Sequence, residues 1–248
     1  MHDIIPLKAF SALDPATIAL LLDVDGTLID IAPSPDAVVV PEVLRATLAR
    51  LAQRTGGALA LVSGRTIHDL DRLFAPLKLP LVGGHGVEMR LPGRSIVHAG
   101  TQLPDDLHDA LEKAGEFGPG IICEDKGYSI ALHYRKAPEQ QERLRRYIET
   151  VVDRLPGEFE VLPGKAVFEV KRADVSKGEA VRALMTQPPF KGRTPVFIGD
   201  DDTDKSVFAL LPALGGLGFS VDLAFEGLAG VFASPDEVRQ ALQRLAGC

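Results

Sequence analysis

The apolar positions of this chain follow two different rhythms. Ile18-Ala-Leu-Leu-Leu22 is an unbroken apolar run ending at Asp23, which predicts a strand buried on both faces. Pro41 opens a helical pattern with Leu44, Leu48 and Leu51 on one side, stopped by Gly56-Gly57. Ala58 to Val62 predicts a second strand, Ile67, Leu70, Leu73 and Phe74 a second helix, and Leu79 to Val82 a third strand. Alternation of this kind predicts an α/β fold with a Rossmann-like, doubly wound parallel sheet.

From about Thr101 the texture changes. Ile121-Ile122, Tyr128 to His133 and Ala166 to Val170 alternate more and carry charges, while Leu144, Ile148, Val151 and Leu155 mark one amphipathic helix. Residues 101–172 therefore predict a small α+β insertion, half-exposed rather than doubly covered, which divides a discontinuous core of residues 1–100 and 173–248. The first rhythm returns at Ser176, which with Glu179 fits a capping box ahead of Ala180, Val181 and Leu184. Pro195 to Ile198 predicts another core strand, and Ser234, Pro235 and Glu237 open a last helix bearing Val238, Leu242 and Leu245.

Two acidic motifs stand directly after core strands, where open α/β sheets bind ligands. Asp23-Val-Asp25-Gly26-Thr27 follows the first strand, and Gly199-Asp200-Asp201-Asp202-Thr203-Asp204 follows Pro195 to Ile198. Carboxylates this crowded repel one another unless a cation offsets them, and hard oxygen ligands suit Mg2+. A calcium loop does not fit, because the register that puts Gly26 at its turn places Leu21 and Ala32 at the end positions. Ser63-Gly64-Arg65 ends the second strand; alone it is ordinary strand-to-helix punctuation, but at the same sheet edge its hydroxyl and next backbone N–H suit a phosphate oxygen. Lys177 opens a helix, where a cation opposes the helix dipole. Taken alone, Lys177 reads better as a solvent-facing lysine, although a helix start also suits an anion. The set suits phosphoryl transfer through a carboxylate nucleophile. No Walker loop, kinase motif or Gly-x-Ser-x-Gly is present.

The balance of 34 acidic against 27 basic residues, net −7, argues against a nucleic-acid partner, whose phosphates favour a basic face. It is also a poor setting for a phosphorylated ligand, unless the two aspartate motifs hold a cation that reverses the sign locally. No apolar run approaches the ~20 residues of a membrane span, and no signal peptide is evident. The two cysteines, Cys123 and Cys248, have no metal or redox spacing, so a cytoplasmic protein is expected.

In order, these elements resemble the haloacid-dehalogenase-like phosphohydrolases. LLLDVDGTL, LVSGR, GGHG, HYR, GKAVFEVKR, SKGEA and GRTPVFIGDDDTD are similar, within that superfamily, to the trehalose-6-phosphate phosphatase family. The resemblance implies Asp23 as nucleophile and magnesium ligand, and Asp25 as the acid and base whose backbone carbonyl also binds the metal. It implies Ser63 and Lys177 as holders of the phosphoryl oxygens and Asp200 as a metal ligand, with Asp201 and Asp204 beside it. Glu124, Lys126 and Glu169 match cap residues that grip the sugar, joined by Arg65, His85 and Lys165. The chain departs from the family pattern at Lys205, where glutamate is usual, and at Lys171-Arg172.

The expected activity is magnesium-dependent hydrolysis of trehalose 6-phosphate through an aspartyl-phosphate, the last step of trehalose biosynthesis. A monomer working with a separate synthase is the expected setting. Alternatives are a phosphatase for another osmolyte precursor, such as sucrose or glucosylglycerol phosphate, and a non-catalytic sugar-phosphate sensor.

Overall fold

A computed structural model describes residues 9–31, 38–91, 93–99, 102–164 and 166–247. The chain divides into two compact units, one of Met1–Val97 with Ser176–Cys248 and one of His98–Val175.

Five strands precede the second unit or lead into it: β1 (Ile18–Leu22), β2 (Leu59–Val62), β3 (Leu81–Gly83), β4 (Glu88–Arg90) and β5 (Val97–His98). Within the second unit lie β6 (Ile122–Asp125), β7 (Ser129–His133), β8 (Phe159–Gly164) and β9 (Val167–Arg172). After it come β10 (Thr194–Gly199), β11 (Leu217–Val221) and β12 (Gly230–Phe232). The helices are α1 (Glu42–Arg54), α2 (Ile67–Phe74), α3 (Asp105–Lys113), α4 (Gln141–Val152), α5 (Lys177–Met185), α6 (Lys205–Phe208) and α7 (Pro235–Ala246).

The larger sheet runs β12-β11-β10-β1-β2-β3-β4-β5 and is parallel from β12 to β3, with β4 antiparallel to β3. Alternate residues of β1 feed opposite cores. Ile18, Leu20 and Leu22 pack with α1, α2 and α7, whereas Ala19 and Leu21 pack with α5 and α6. That two-sided burial is why the run has no polar interruption. The chain proceeds from β1 to β2 and β3 on one side, and through β10, β11 and β12 on the other. The strand order thus reverses between β1 and β10, and the crevice at such a reversal is where these sheets bind ligands.

The second unit has a sheet ordered β6-β7-β9-β8, antiparallel throughout. Ile130, Leu132, Phe168 and Val170 share one core with Leu107 and Leu111 of α3 and Leu144, Ile148 and Val151 of α4. Two helices therefore cover this sheet where the pattern predicts one, and β8 is an additional strand. Leu155 lies past the end of α4 but still packs against this core.

Local differences have local causes. The third strand starts at Leu81 rather than Leu79, because Pro80 has no N–H to add to a ladder. Ala166 sits at φ +62°, in the turn before β9 rather than inside it. Only half of the capping box at Ser176 forms. Its Oγ accepts the Glu179 N–H at 3.1 Å, while the Glu179 carboxylate pairs with Arg182.

Candidate active site

Asp23 follows β1, Ser63 follows β2, His85 follows β3 and Asp200 follows β10, so the carboxyl ends of four neighbouring parallel strands deliver four of the expected side chains. Lys177 enters the same group from the first turn of α5. Its Nζ donates to Asp23 Oδ1 at 2.7 Å and to Asp204 Oδ1 at 2.7 Å, and all three residues are buried. The helix-dipole cost of a lysine at this position is thereby met by two carboxylates, and the solvent-facing reading of Lys177 is overturned.

Asp23, Asp200 and Asp204 bring ligand oxygens within 4.8 Å of one another. Thr27 Oγ1 donates to Asp200 Oδ1 at 3.2 Å, locking that carboxylate against the first motif. Gly26, at φ +84°, makes the approach possible, since a Cβ there would collide with the Asp200 carboxylate. Burial foremost, reinforced by Asp204, Asp200 and Asp201 and opposed by Lys177, pushes the Asp23 carboxyl well above its usual range. Burial pulls the Lys177 ammonium down, but Asp204, Asp23 and Asp201 outweigh it and hold the proton firmly. The Asp204 carboxyl is also raised, by burial first. Asp23 and Asp204 thus share the Lys177 ammonium, and the buried Asp200 carboxylate lies beside them. That excess of hard negative oxygen fits a divalent cation.

The four aspartates of the second motif do different things. Asp201 and Asp204 form a reciprocal capping box over the 3-10 turn Asp202–Asp204. Asp204 Oδ2 accepts the N–H groups of Asp200 at 2.9 Å and Asp201 at 3.2 Å, so with Lys177 both of its oxygens are engaged. Asp201 Oδ1 accepts from the Thr203 N–H and hydroxyl. Asp202 pairs with Lys205 at 2.6 Å, and the Lys205 ammonium also lies 5.5 Å from the Phe225 ring centre. The departure at Lys205 therefore points to the exposed side of its loop.

Arg65 grips Asp25 with both arms of its guanidinium, Nε to Oδ2 at 2.6 Å and Nη2 to Oδ1 at 2.7 Å. This bidentate geometry fixes the plane of the carboxylate. Ser63 Oγ is buried and accepts the Arg65 N–H at 3.1 Å. His85, at φ +54°, lays its imidazole over Gly64, where any Cβ would meet the ring.

Three further expected residues lie in the second unit. Lys126 Nζ donates to Glu169 Oε2 at 2.9 Å, and Ser129 Oγ donates to Glu169 Oε1 at 2.6 Å. Glu124 Oε2 lies 2.9 Å from His133 Nε2. Lys165 lies outside the described residues. Thr27, Ser129 and His133 were not among the residues expected from sequence. Ser129 and His133 could have been found by alternation, since they share a strand face with Ala131. A second group able to hold a metal, His108, Asp109 and Glu112, lies more openly on α3.

The chain matches the trehalose-phosphatase family model over residues 21–224. It belongs to the trehalose-phosphatase family. It is 44% identical over 206 residues to the "Probable trehalose-phosphate phosphatase" of Sinorhizobium fredii, covering 82% of this chain and 77% of that one. It is 42% identical over 208 residues to the trehalose-6-phosphate phosphatase of Escherichia coli, covering 83% and 78%. Among solved structures, the C-terminal domain of the C. albicans trehalose-6-phosphate phosphatase superposes with a TM-score of 0.83 at 23% identity, covering 100% of this chain and 97% of that one. At that identity the likeness speaks for the shared α/β fold alone. No helix among the described residues is long and apolar enough to cross a membrane.

Proposed function

We propose that this chain hydrolyses trehalose 6-phosphate to trehalose and phosphate, with Asp23 as nucleophile and Mg2+ as cofactor. The observation that carries the reading is the buried triad of Asp23, Lys177 and Asp204 at the strand reversal of a trehalose-phosphatase-family chain. Asp23 attacks phosphorus in line, and an aspartyl-phosphate forms as the bond to the sugar oxygen breaks. Asp25, protonated on an oxygen released from Arg65, gives that proton to the departing oxygen. It then takes a proton from water, whose oxygen attacks phosphorus, and the bond to Asp23 breaks to release phosphate. Lys177 and the hydroxyl of Ser63 stabilise charge developing on the phosphoryl oxygens. Asp23, Asp200 and the Asp25 carbonyl would hold Mg2+, which supplies further neutralisation of those oxygens. Asp204 and Asp201 shape the loop that presents Asp200.

Selectivity for the sugar falls to the second unit, where Glu124, Lys126 and Glu169 offer charged partners to hydroxyl groups. Such partners discriminate strongly, because a missing hydroxyl leaves them unpaired. His85 and Lys165 join the substrate-binding set. The reading carries with it a cytoplasmic monomer acting on a small molecule. A relative from Thermoproteus tenax is named a bifunctional trehalose-6-phosphate synthase/phosphatase, which supports a synthase as the source of substrate here.

The test is phosphate release from trehalose 6-phosphate, sucrose phosphate and glucosylglycerol phosphate, with and without Mg2+. Preference for trehalose 6-phosphate and loss of turnover in Asp23→Asn are expected. Preference for another ester would overturn the substrate, and equal rates in wild type and Asp23→Asn would overturn the nucleophile.

A further inference from the structure

The face of the second sheet turned away from α3 and α4 carries a run of three residues in register, within a row that Leu162 of β8 completes beyond Glu169. Glu124 on β6 pairs with Ala131 on β7, which pairs with Glu169 on β9. Residues across a sheet in one register position point to the same face, so two carboxylates bracket one methyl group. Neighbouring strands stand about 4.8 Å apart, which puts the two ends of the run about 10 Å apart at the backbone. That span is comparable to the width of a sugar ring with its hydroxyls.

The two ends are held differently. Glu169 is buried, and Lys126 and Ser129 donate to its separate oxygens. Glu124 is more open, and its partner is His133, one row further along the same face, opposite Ile122. The two are a diagonal pair on adjacent antiparallel strands, within reach for long side chains. An ionised carboxylate can only accept, so Nε2 of His133 carries the hydrogen. This bond is the main cause holding the Glu124 carboxyl below its ordinary range, with Lys126 adding to it against burial. Among the described residues only Oε2 accepts a hydrogen bond, which leaves Oε1 for a ligand.

We propose that His133 is a positioning residue for sugar selectivity: by donating Nε2–H to Glu124 it keeps that carboxylate aimed along the Glu124–Ala131–Glu169 row, ready to accept from a sugar hydroxyl. The inference rests on the phosphatase reading above, and it adds a residue that touches no substrate itself. β6 is an edge strand, paired on one side only, so Glu124 has no second neighbouring strand to hold it. A purely structural pair would help hold β6 to β7 and would affect every substrate alike. A positioning role affects only esters whose sugar reaches the row.

The experiment compares His133→Leu, His133→Gln and Glu124→Gln with wild type in the full chain. KM and kcat are measured with the preferred sugar phosphate and with p-nitrophenyl phosphate, which carries no sugar hydroxyls. For His133→Leu, KM for the sugar phosphate should rise roughly tenfold with kcat within about twofold, as one charged hydrogen bond would give. The small ester should be unaffected. His133→Gln, whose amide can donate to Glu124, should recover most of the loss. Adding His133→Leu to Glu124→Gln should cost little more than Glu124→Gln alone.

An unchanged KM for the sugar phosphate in His133→Leu overturns the proposal, as does an equal loss on both esters. If His133→Leu does not fold, the decision rests on His133→Gln. Retained sugar KM then supports the donor role, and a KM as poor as that of Glu124→Gln overturns it. Failure of the reading beneath looks different. Wild type would then turn over none of the sugar phosphates, or none better than the small ester.

Discussion

Lys177 places its ammonium 2.7 Å from Asp23 and 2.7 Å from Asp204, and each of the three is less than 5% exposed. Removing one partner of a buried ion pair costs about 3–5 kcal/mol, because a charge is left uncompensated. Lys177→Met should therefore lower stability by that order in the absence of metal, followed by urea unfolding. The loss should shrink as the freed carboxylates take up protons at lower pH. Turnover should fall about 10²–10³-fold, the usual consequence of losing one donor to the developing charge. A variant with wild-type turnover would remove Lys177 from the chemistry.

Gly26 and Asp200 occupy space that a side chain at position 26 would deny them. Gly26→Ala adds a Cβ in the left-handed region and against the Asp200 carboxylate. Backbone strain of this kind costs about 1–3 kcal/mol. The larger expected effect is on metal: displacement of Asp200 should weaken Mg2+ binding at least tenfold by calorimetry. Thr27→Val, which removes the 3.2 Å bond to Asp200 without forcing the backbone, should weaken it less. Equal Mg2+ affinity in all three proteins would mean that Asp200 does not hold the ion.

The first rhythm of the chain was legible because burial on two faces demands unbroken apolar runs. β1 emerges with the limits expected for it, Ile18–Leu22. Three other strands were harder to see. β11 contains Gly218 and Ser220, β12 has three residues, and Pro163-Gly164 makes the end of β8 look like a turn. α3 shows only Leu107 and Leu111 on an otherwise polar sequence, too few for a periodic signal. In the site, residue types were legible and their pairings were not. Four neighbouring aspartates look equivalent along the chain, yet Asp200 and Asp204 join the group able to hold a metal, Asp204 also caps a turn with Asp201, and Asp202 meets Lys205. The caps and the Asp202–Lys205 pair are local, but the partners that draw Asp204 and Asp200 into the site, Lys177 and Thr27, come from distant segments.

Metal binding should depend on pH with a definite sign. Burial, with help from neighbouring aspartates, raises the carboxyls of Asp23 and Asp204 above 3.8, so the folded chain holds these protons more tightly than the unfolded chain. Their contribution to the stability of the metal-free protein is therefore lost as pH rises through the raised range. Mg2+ binds the deprotonated forms and must release protons. Addition of Mg2+ should raise Tm more at pH 8 than at pH 5.5, and chelation should reverse the gain. Calorimetry in buffers of different ionisation enthalpy should detect the released protons. An increment independent of pH, with no proton release, would show that these carboxyls are already ionised in the metal-free protein.

Arg65 can act on the reaction in two ways that a double-mutant cycle separates. Its bidentate grip on Asp25, at 2.6 and 2.7 Å, points to orientation of the acid and base. Contact with the phosphate ester, the role implied by resemblance, would act without Asp25. Residues that serve one step as a unit are strongly non-additive when removed together. If Arg65 works through Asp25, Arg65→Ala should lower kcat by about 10–10²-fold alone and change little once Asp25→Asn is present. Arg65→Lys should recover only part, since an ammonium cannot hold both oxygens of a carboxylate in a fork. Multiplicative losses, with KM for the phosphate ester rising in Arg65→Ala, would assign the guanidinium to the substrate instead.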